Sequence, residues 1–159
     1  MDKVYLAATY SRHPELQNYA KDLQALGYEI TSRWIWGEHA AFDHDIMGSG
    51  NAEFAGQMAL EDEEGVWNSD IFIAFTEPPE TNARRGGFHV ETGMARALGK
   101  RLFIVGHYTN IFHRLPSRYD IFCSDTQGML HGPVYFPDWD VAYSFFRSLA
   151  TEDTGQTRT

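Results

Sequence analysis

A single cysteine, Cys123, in 159 residues excludes an internal disulfide and leaves no second thiol for a thiolate metal site. Positive charge is scarce as well, since 13 Lys and Arg face 22 Asp and Glu for a net charge of −9. A surface of that sign opposes loose attraction to a phosphate backbone or an anionic membrane, so neither polymeric nucleic acid nor a membrane is an expected partner. A small phosphorylated ligand stays compatible, because a local cluster of arginines can hold one phosphate whatever the total charge. No apolar run reaches the length of a membrane span, and strand-like sequence begins within three residues of Met1, leaving no room for a signal peptide. A cytoplasmic location is the expectation. Low complexity is also lacking: hydrophobic residues make up 43% and aromatics 14%. That composition suits one packed domain, expected over residues 1–150, followed from Thr151 by a polar tail expected to be disordered.

What is present alternates between two patterns. Val4 to Ala8 is a short apolar run, and Leu16, Tyr19, Ala20, Leu23 and Leu26 then recur at helical spacing between Pro14 and Gly27. Tyr28 to Trp36 reads as a second strand, and a long loop reaches to Gly50. Asn51 is a plausible cap for a helix running to Asn68, ahead of the buried strand Ile71 to Phe75. Gly86 and Gly87 lead into a helix ending at Gly99, and Leu102 to Val105 is a fourth strand. A fifth falls at Tyr119 to Phe122 or at Val134 to Phe136, with a terminal helix from Pro137 and Asp138 through Leu149. Such alternation predicts a mostly parallel sheet covered on both faces, with ligand groups gathered at the carboxyl ends of the strands.

The first strand-to-helix turn, AATYSRHPE, contains no glycine, so neither the dinucleotide fingerprint nor a P-loop is present. Thr9, Ser11 and Arg12 remain there as an anion-binding set, with ordinary helix capping as the alternative. In RRGGFHVETGMA, two glycines are expected to let the backbone pack closely and to bring His89 and Glu91 to the start of a helix. A helix amino terminus favours a carboxylate, so Glu91 is expected to be ionised near neutral pH and able to act as a nucleophile. The alternative is an acid that merely complements the helix dipole. Gly87 and His89 are candidate substrate contacts by position, although His89 also suits a structural role. His89 and Glu91 stand two apart and do not face each other on a helix, so they form no zincin pair. The loop EHAAFDHD, Glu38 to Asp45, has metal-compatible side chains but no recognised ligand spacing, and neither metal nor cofactor is expected.

Within the acidic run Glu61 to Glu64, Asp62 alone falls on the stripe Ala55, Met58, Ala59, Asp62, Val66, which predicts that it faces inward. A buried carboxylate needs a partner or a task. A second acid near Glu91 suits glycoside chemistry, in which one group attacks the anomeric carbon and another helps the leaving group depart.

These residues resemble the nucleoside 2-deoxyribosyltransferase superfamily, which includes the 2'-deoxynucleoside 5'-phosphate N-hydrolases and the CMP-type N-glycosidases. The resemblance runs roughly from Lys3 to Pro116. It is carried by VYLAATYS, by Asp62 ahead of SDIFIAF, and above all by GGFHVETGMARALGKRLFIVG. It implies a flavodoxin-like doubly wound α/β sheet of about five mostly parallel strands with helices on both faces. It also implies a nucleoside or nucleotide as small-molecule partner, a homo-oligomer, Glu91 as the nucleophile at C1', Tyr5 as the group that orients it, and Asp62 as a substrate contact. Six residues before the nucleophile, where transferases carry an aspartate and deoxynucleotide hydrolases a serine, stands Arg85, next to Arg84. Two arginines suit a 5'-phosphate, pointing to hydrolysis of a nucleoside 5'-monophosphate, with a solvated loop pair as the alternative. Trp34 and Trp36 are candidates for stacking on the base, and core packing accounts for at least one of them equally well. FHRLP, Phe112 to Pro116, also resembles the hydrolase branch without suggesting a chemical role. The rivals are base transfer between nucleosides and a noncatalytic nucleotide sensor.

Overall fold

The computed structural model describes residues 1–37, 52–77, 86–107 and 133–155. Five strands, β1 (Lys3–Ala7), β2 (Glu29–Ile30), β3 (Ile71–Phe75), β4 (Arg101–Val105) and β5 (Val134–Phe136), form one sheet in the order β2-β1-β3-β4-β5. Every pairing is parallel. The helices are α1 (His13–Ala25), α2 (Ala52–Trp67), α3 (Gly87–Ala97) and α4 (Trp139–Gly155). This is the flavodoxin-like doubly wound arrangement, whose strand order reverses between β1 and β3 and opens a crevice at their carboxyl ends.

The parity of β3 shows how the helices are divided. Phe72 stacks on Tyr5 of β1, beneath α2, whereas Phe75, three residues on and so on the other face, stacks on Tyr19 of α1 and packs against Trp139 of α4. Both faces of β3 are therefore covered, and all five of its residues are buried. That is why it reads in the sequence as an unbroken apolar run. On α1, Leu16, Ala20 and Leu23 bury the predicted stripe after Pro14 opens the helix. Each fully buried leucine contributes about 1.5–3 kcal/mol.

The predicted second strand is mostly not a strand. Only Glu29 and Ile30 pair with β1, and Arg33–Trp36 is a 3-10 turn. Side chains take over where the ladder stops: the Leu6 N–H donates to Ser32 Oγ at 2.6 Å, and the Trp34 indole N–H donates to the Leu6 carbonyl at 3.0 Å. The backbone of 33–36 is thereby released from pairing. Val134–Phe136 supplies the fifth strand, and the alternative at Tyr119–Phe122 lies outside the described residues, as do Asn51 and Cys123. The Val141 N–H is capped by Asp138 Oδ1 at 3.0 Å, and α4 runs on to Gly155 instead of stopping at Leu149. The first residues of the expected disordered tail are thus helical. Among the described residues no helix is long and apolar enough to cross a membrane.

Gly106, just after β4, has φ +111°, and a Cβ there would lie 2.8 Å from both the carbonyl oxygen and Oγ1 of Thr76. Gly106→Ala is expected to cost about 2–4 kcal/mol by combining strain with overlap. Gly56→Ala, in α2 with nothing within 4 Å, is expected to gain up to about 1 kcal/mol of helix propensity. Urea denaturation of the two variants checks the contrast.

Candidate active site

Strand alternation turns Tyr5 toward α2 and α3. The residue is fully buried, with its ring 5.5 Å from that of Phe72 at an interplanar angle of 9°. Its hydroxyl donates to Glu91 Oε1 at 2.9 Å, joining β1 to the half-buried fifth residue of α3. Asp62 approaches the pair from α2, close enough to act electrostatically on both. It is half-buried, and Val66 on the same stripe is fully buried, whereas Ala59 is exposed. The inward stripe therefore holds around Asp62 and not at Ala59.

The expectation that Glu91 is ionised near neutral pH does not hold. Burial, followed by repulsion from Asp62, pushes its carboxyl up from 4.5 to about 8, against the opposing effect of the Tyr5 hydrogen bond. The helix gives little relief, since α3 has no acid in its first turn and the dipole acts mainly there. The Tyr5 phenol is held well above its ordinary range, by burial first and then by the charges of Glu91 and Asp62, with hydrogen bonds to both acids adding to the effect. Two acids and a phenol thus share few protons in a confined space, an arrangement able to hold and pass on a proton.

The turn after β1 differs from the expected anion site. Thr9 Oγ1 donates to Glu77 Oε1 at 2.8 Å, Ser11 is exposed, and Arg12 forks onto Glu15 at 2.8 and 2.7 Å while lying 3.7 Å from Glu77. Arg12 holds Glu15 below the usual carboxylate range and sits over the Phe75 ring at 5.7 Å. Carboxylates from the chain itself therefore meet two of the groups assigned to an anion, Thr9 and Arg12. Trp34 is a correction as well: it is 5% exposed, its N–H is bound to Leu6, and it packs near Tyr10, so it belongs to the core. Trp36 is 42% exposed.

Among the described residues, a Cβ at Gly86 or Gly87 meets nothing within 4 Å, so none of them accounts for the close packing expected there. The His89 ring lies tilted at 36° against that of Phe88, with centroids 3.9 Å apart, and burial lowers its pKa. Arg84 and Arg85, the Glu38–Asp45 run and Phe112–Pro116 lie outside the described residues. Two contributors were missed in the sequence. Glu77 gave no signal beyond its place after β3. Gly65 did give one, since a glycine inside a helix costs about 1 kcal/mol and asks for a packing reason.

A 2-deoxyribosyltransferase from Bacillus psychrosaccharolyticus is similar over 93% of this chain and 95% of its own, at 18% identity and a TM-score of 0.59. The two chains share a fold. Looser likenesses are to the CMP N-glycosidase of Clostridium botulinum, over 65% of this chain and 70% of its own at 24% identity and TM-score 0.41, and to a 2-deoxyribosyltransferase of Leishmania mexicana, over 93% and 98% at 17% identity and TM-score 0.46. No family model and no curated protein matches the sequence.

The raised Glu91 carboxyl has a consequence for stability. Between 4.5 and about 8 the folded protein holds a proton that the unfolded chain has released, so the stabilisation present at low pH is lost as pH rises through 8. For this half-buried group the loss should be roughly 1–3 kcal/mol between pH 5 and 9. Glu91→Gln should flatten that part of the profile and be the more stable protein at pH 9, as read by urea denaturation across the range.

Proposed function

We propose that the protein cleaves the N-glycosidic bond of a nucleoside or nucleotide through a covalent glycosyl-Glu91 intermediate. One observation carries this reading: at the crevice where a doubly wound sheet binds ligands, the buried Tyr5 hydroxyl donates to Glu91 Oε1, with a second acid, Asp62, beside both. The sequence resemblance and the fold shared with a 2-deoxyribosyltransferase support placing the chain in that superfamily.

A Glu91 oxygen attacks C1', the C1'–N bond breaks, and its electron pair leaves with the base. The proton that burial keeps on the Glu91–Asp62 pair must move for Glu91 to attack, and the departing base nitrogen takes it up with Asp62 as the relay. Tyr5 fixes the rotamer of Glu91 and selects the attacking oxygen. Water then adds to C1', its proton returns to the acid pair, and the Glu91 carboxylate is released. Hydrolysis of a 5'-monophosphate is the finer form of this proposal, with Arg84 and Arg85 as the phosphate partners. Gly87 and His89, at the opening of α3, are proposed substrate contacts. We also propose a homo-oligomer, for which Leu60 and Trp67 on α2 and Val90 on α3 offer exposed apolar surface.

Chromatography for free base, after incubation with ribo- and deoxyribonucleosides and their 5'-monophosphates with or without an acceptor base, tests the activity. Base release from monophosphates is expected, with Glu91→Gln lower by roughly 10³-fold or more and Tyr5→Phe by about 10- to 100-fold. Product only with acceptor present would make the protein a transferase, and no turnover on any substrate would make it a sensor. Light scattering on a sizing column checks the oligomer, which a monomeric mass at working concentration would refute.

A further inference from the structure

The position facing the Tyr5 ring from α2 admits no side chain. A Cβ on Gly65 would lie 2.8 Å from Cε2 and 3.0 Å from Cδ2 of Tyr5, and 2.8 Å from the carbonyl oxygen of Thr31. At such distances the helix, the ring or the chain after β2 has to shift, and two of the three obstacles have little freedom. The Tyr5 ring is fully buried and stacked on Phe72, and the Thr31 backbone is held by donation of its N–H to the Val4 carbonyl at 2.9 Å. Gly65 also stands three residues after Asp62, a spacing that puts both on one side of the helix. The other helical glycine described on α2, Gly56, meets no described residue within 4 Å, so among the described residues the close approach belongs to the turn that carries Asp62.

We propose that Gly65 is a positioning residue of the site: by presenting bare backbone, it lets α2 settle onto the Tyr5 ring and so fixes the phenol and Asp62 together relative to Glu91. The proposal rests on the glycosidase reading for its catalytic consequence, while its geometric content stands apart from it. A Cβ at this place drives the ring and the helix apart, and both groups that flank the Glu91 carboxylate move in one step. Displacement by a fraction of an ångström to one ångström near a reacting centre lowers turnover without removing any group that binds substrate.

The experiment compares Gly65→Ala, Gly56→Ala, Phe72→Leu and the double variant Gly65→Ala/Phe72→Leu with the wild type, measuring kcat and KM for base release and stability from pH 5 to 9. Gly65→Ala is expected to lower kcat about 10- to 100-fold with KM within about threefold, and Gly56→Ala to change neither. A folded Gly65→Ala protein with wild-type kcat overturns the proposal. Should Gly65→Ala not fold, the double variant decides, because the smaller residue at 72 gives the ring room to retreat. It is expected to be at least about tenfold slower than Phe72→Leu alone, and equal rates overturn the proposal. If the wild type releases no base from any substrate, the glycosidase reading fails by itself, and the pH profile of stability is decisive for Gly65. A shift of the transition near pH 8 in the folded alanine variant then supports positioning, and coincident curves refute it.

Discussion

A carboxylic acid kept beside a second acid in a buried setting is the constraint on which the rest of the site depends. Glu91 is half-buried, faces Asp62, and has the Tyr5 hydroxyl as a hydrogen-bond partner. Burial and like charge both favour the protonated form, so the resting site stores a proton on the group proposed as the nucleophile. The protein tolerates this because Tyr5 is itself held: its ring is stacked on Phe72 and closed over by the backbone at Gly65, while its backbone runs in the middle of the sheet. Without that fixed phenol, the carboxyl would have little reason to keep one rotamer.

The same edge of the sheet is braced on its other side. Thr9 and Arg12 after β1 meet Glu77 after β3, and Thr76 Oγ1 donates to the His107 carbonyl at 2.7 Å beside Gly106. Neighbouring loops are tied to one another at the point where β1 and β3 diverge. Charge is divided accordingly. Arg12 offsets Glu15 and Glu77 on the α1 side, whereas on the α2–α3 side Glu91 has the neutral Tyr5 phenol as a hydrogen-bond partner and the like charge of Asp62 nearby. The α2–α3 side thus combines high proton affinity with a rigid frame, a combination suited to acid–base chemistry near neutral pH.

Much of this was legible in the chain. The apolar runs of β1, β3 and β4, the spacing of α1 and the alternation of elements yield a parallel sheet with covered faces, since those periods are set by local geometry. Asp62 could be picked out from its acidic neighbours because helical periodicity carries direction. The stretch from Tyr28 to Trp36 is not a strand throughout although its aromatic and β-branched residues suit one, because contact with Leu6 lets Ser32 and Trp34 replace the ladder. Gly86 and Gly87 suggested close packing where no described residue comes within 4 Å of an added Cβ, and the glycine that does sit against a ring, Gly65, is marked in the sequence only by standing inside a helix.

The class of fold, the helix or strand on which each candidate lies and the inward placement of Asp62 follow from the chain alone, because side-chain periodicity is a property of the local backbone, whereas Tyr5 and the role of Glu91 came from the family resemblance. That Arg12 and Thr9 answer to Glu77, that Trp34 is core, and that the Glu91 carboxyl is pushed up to about 8 emerge with the packed fold. The physical reason is common to all three. Ionisation and pairing depend on which charges and apolar groups come within a few ångströms across the sheet, and residues 5, 62 and 91 meet only when β1, α2 and α3 have packed.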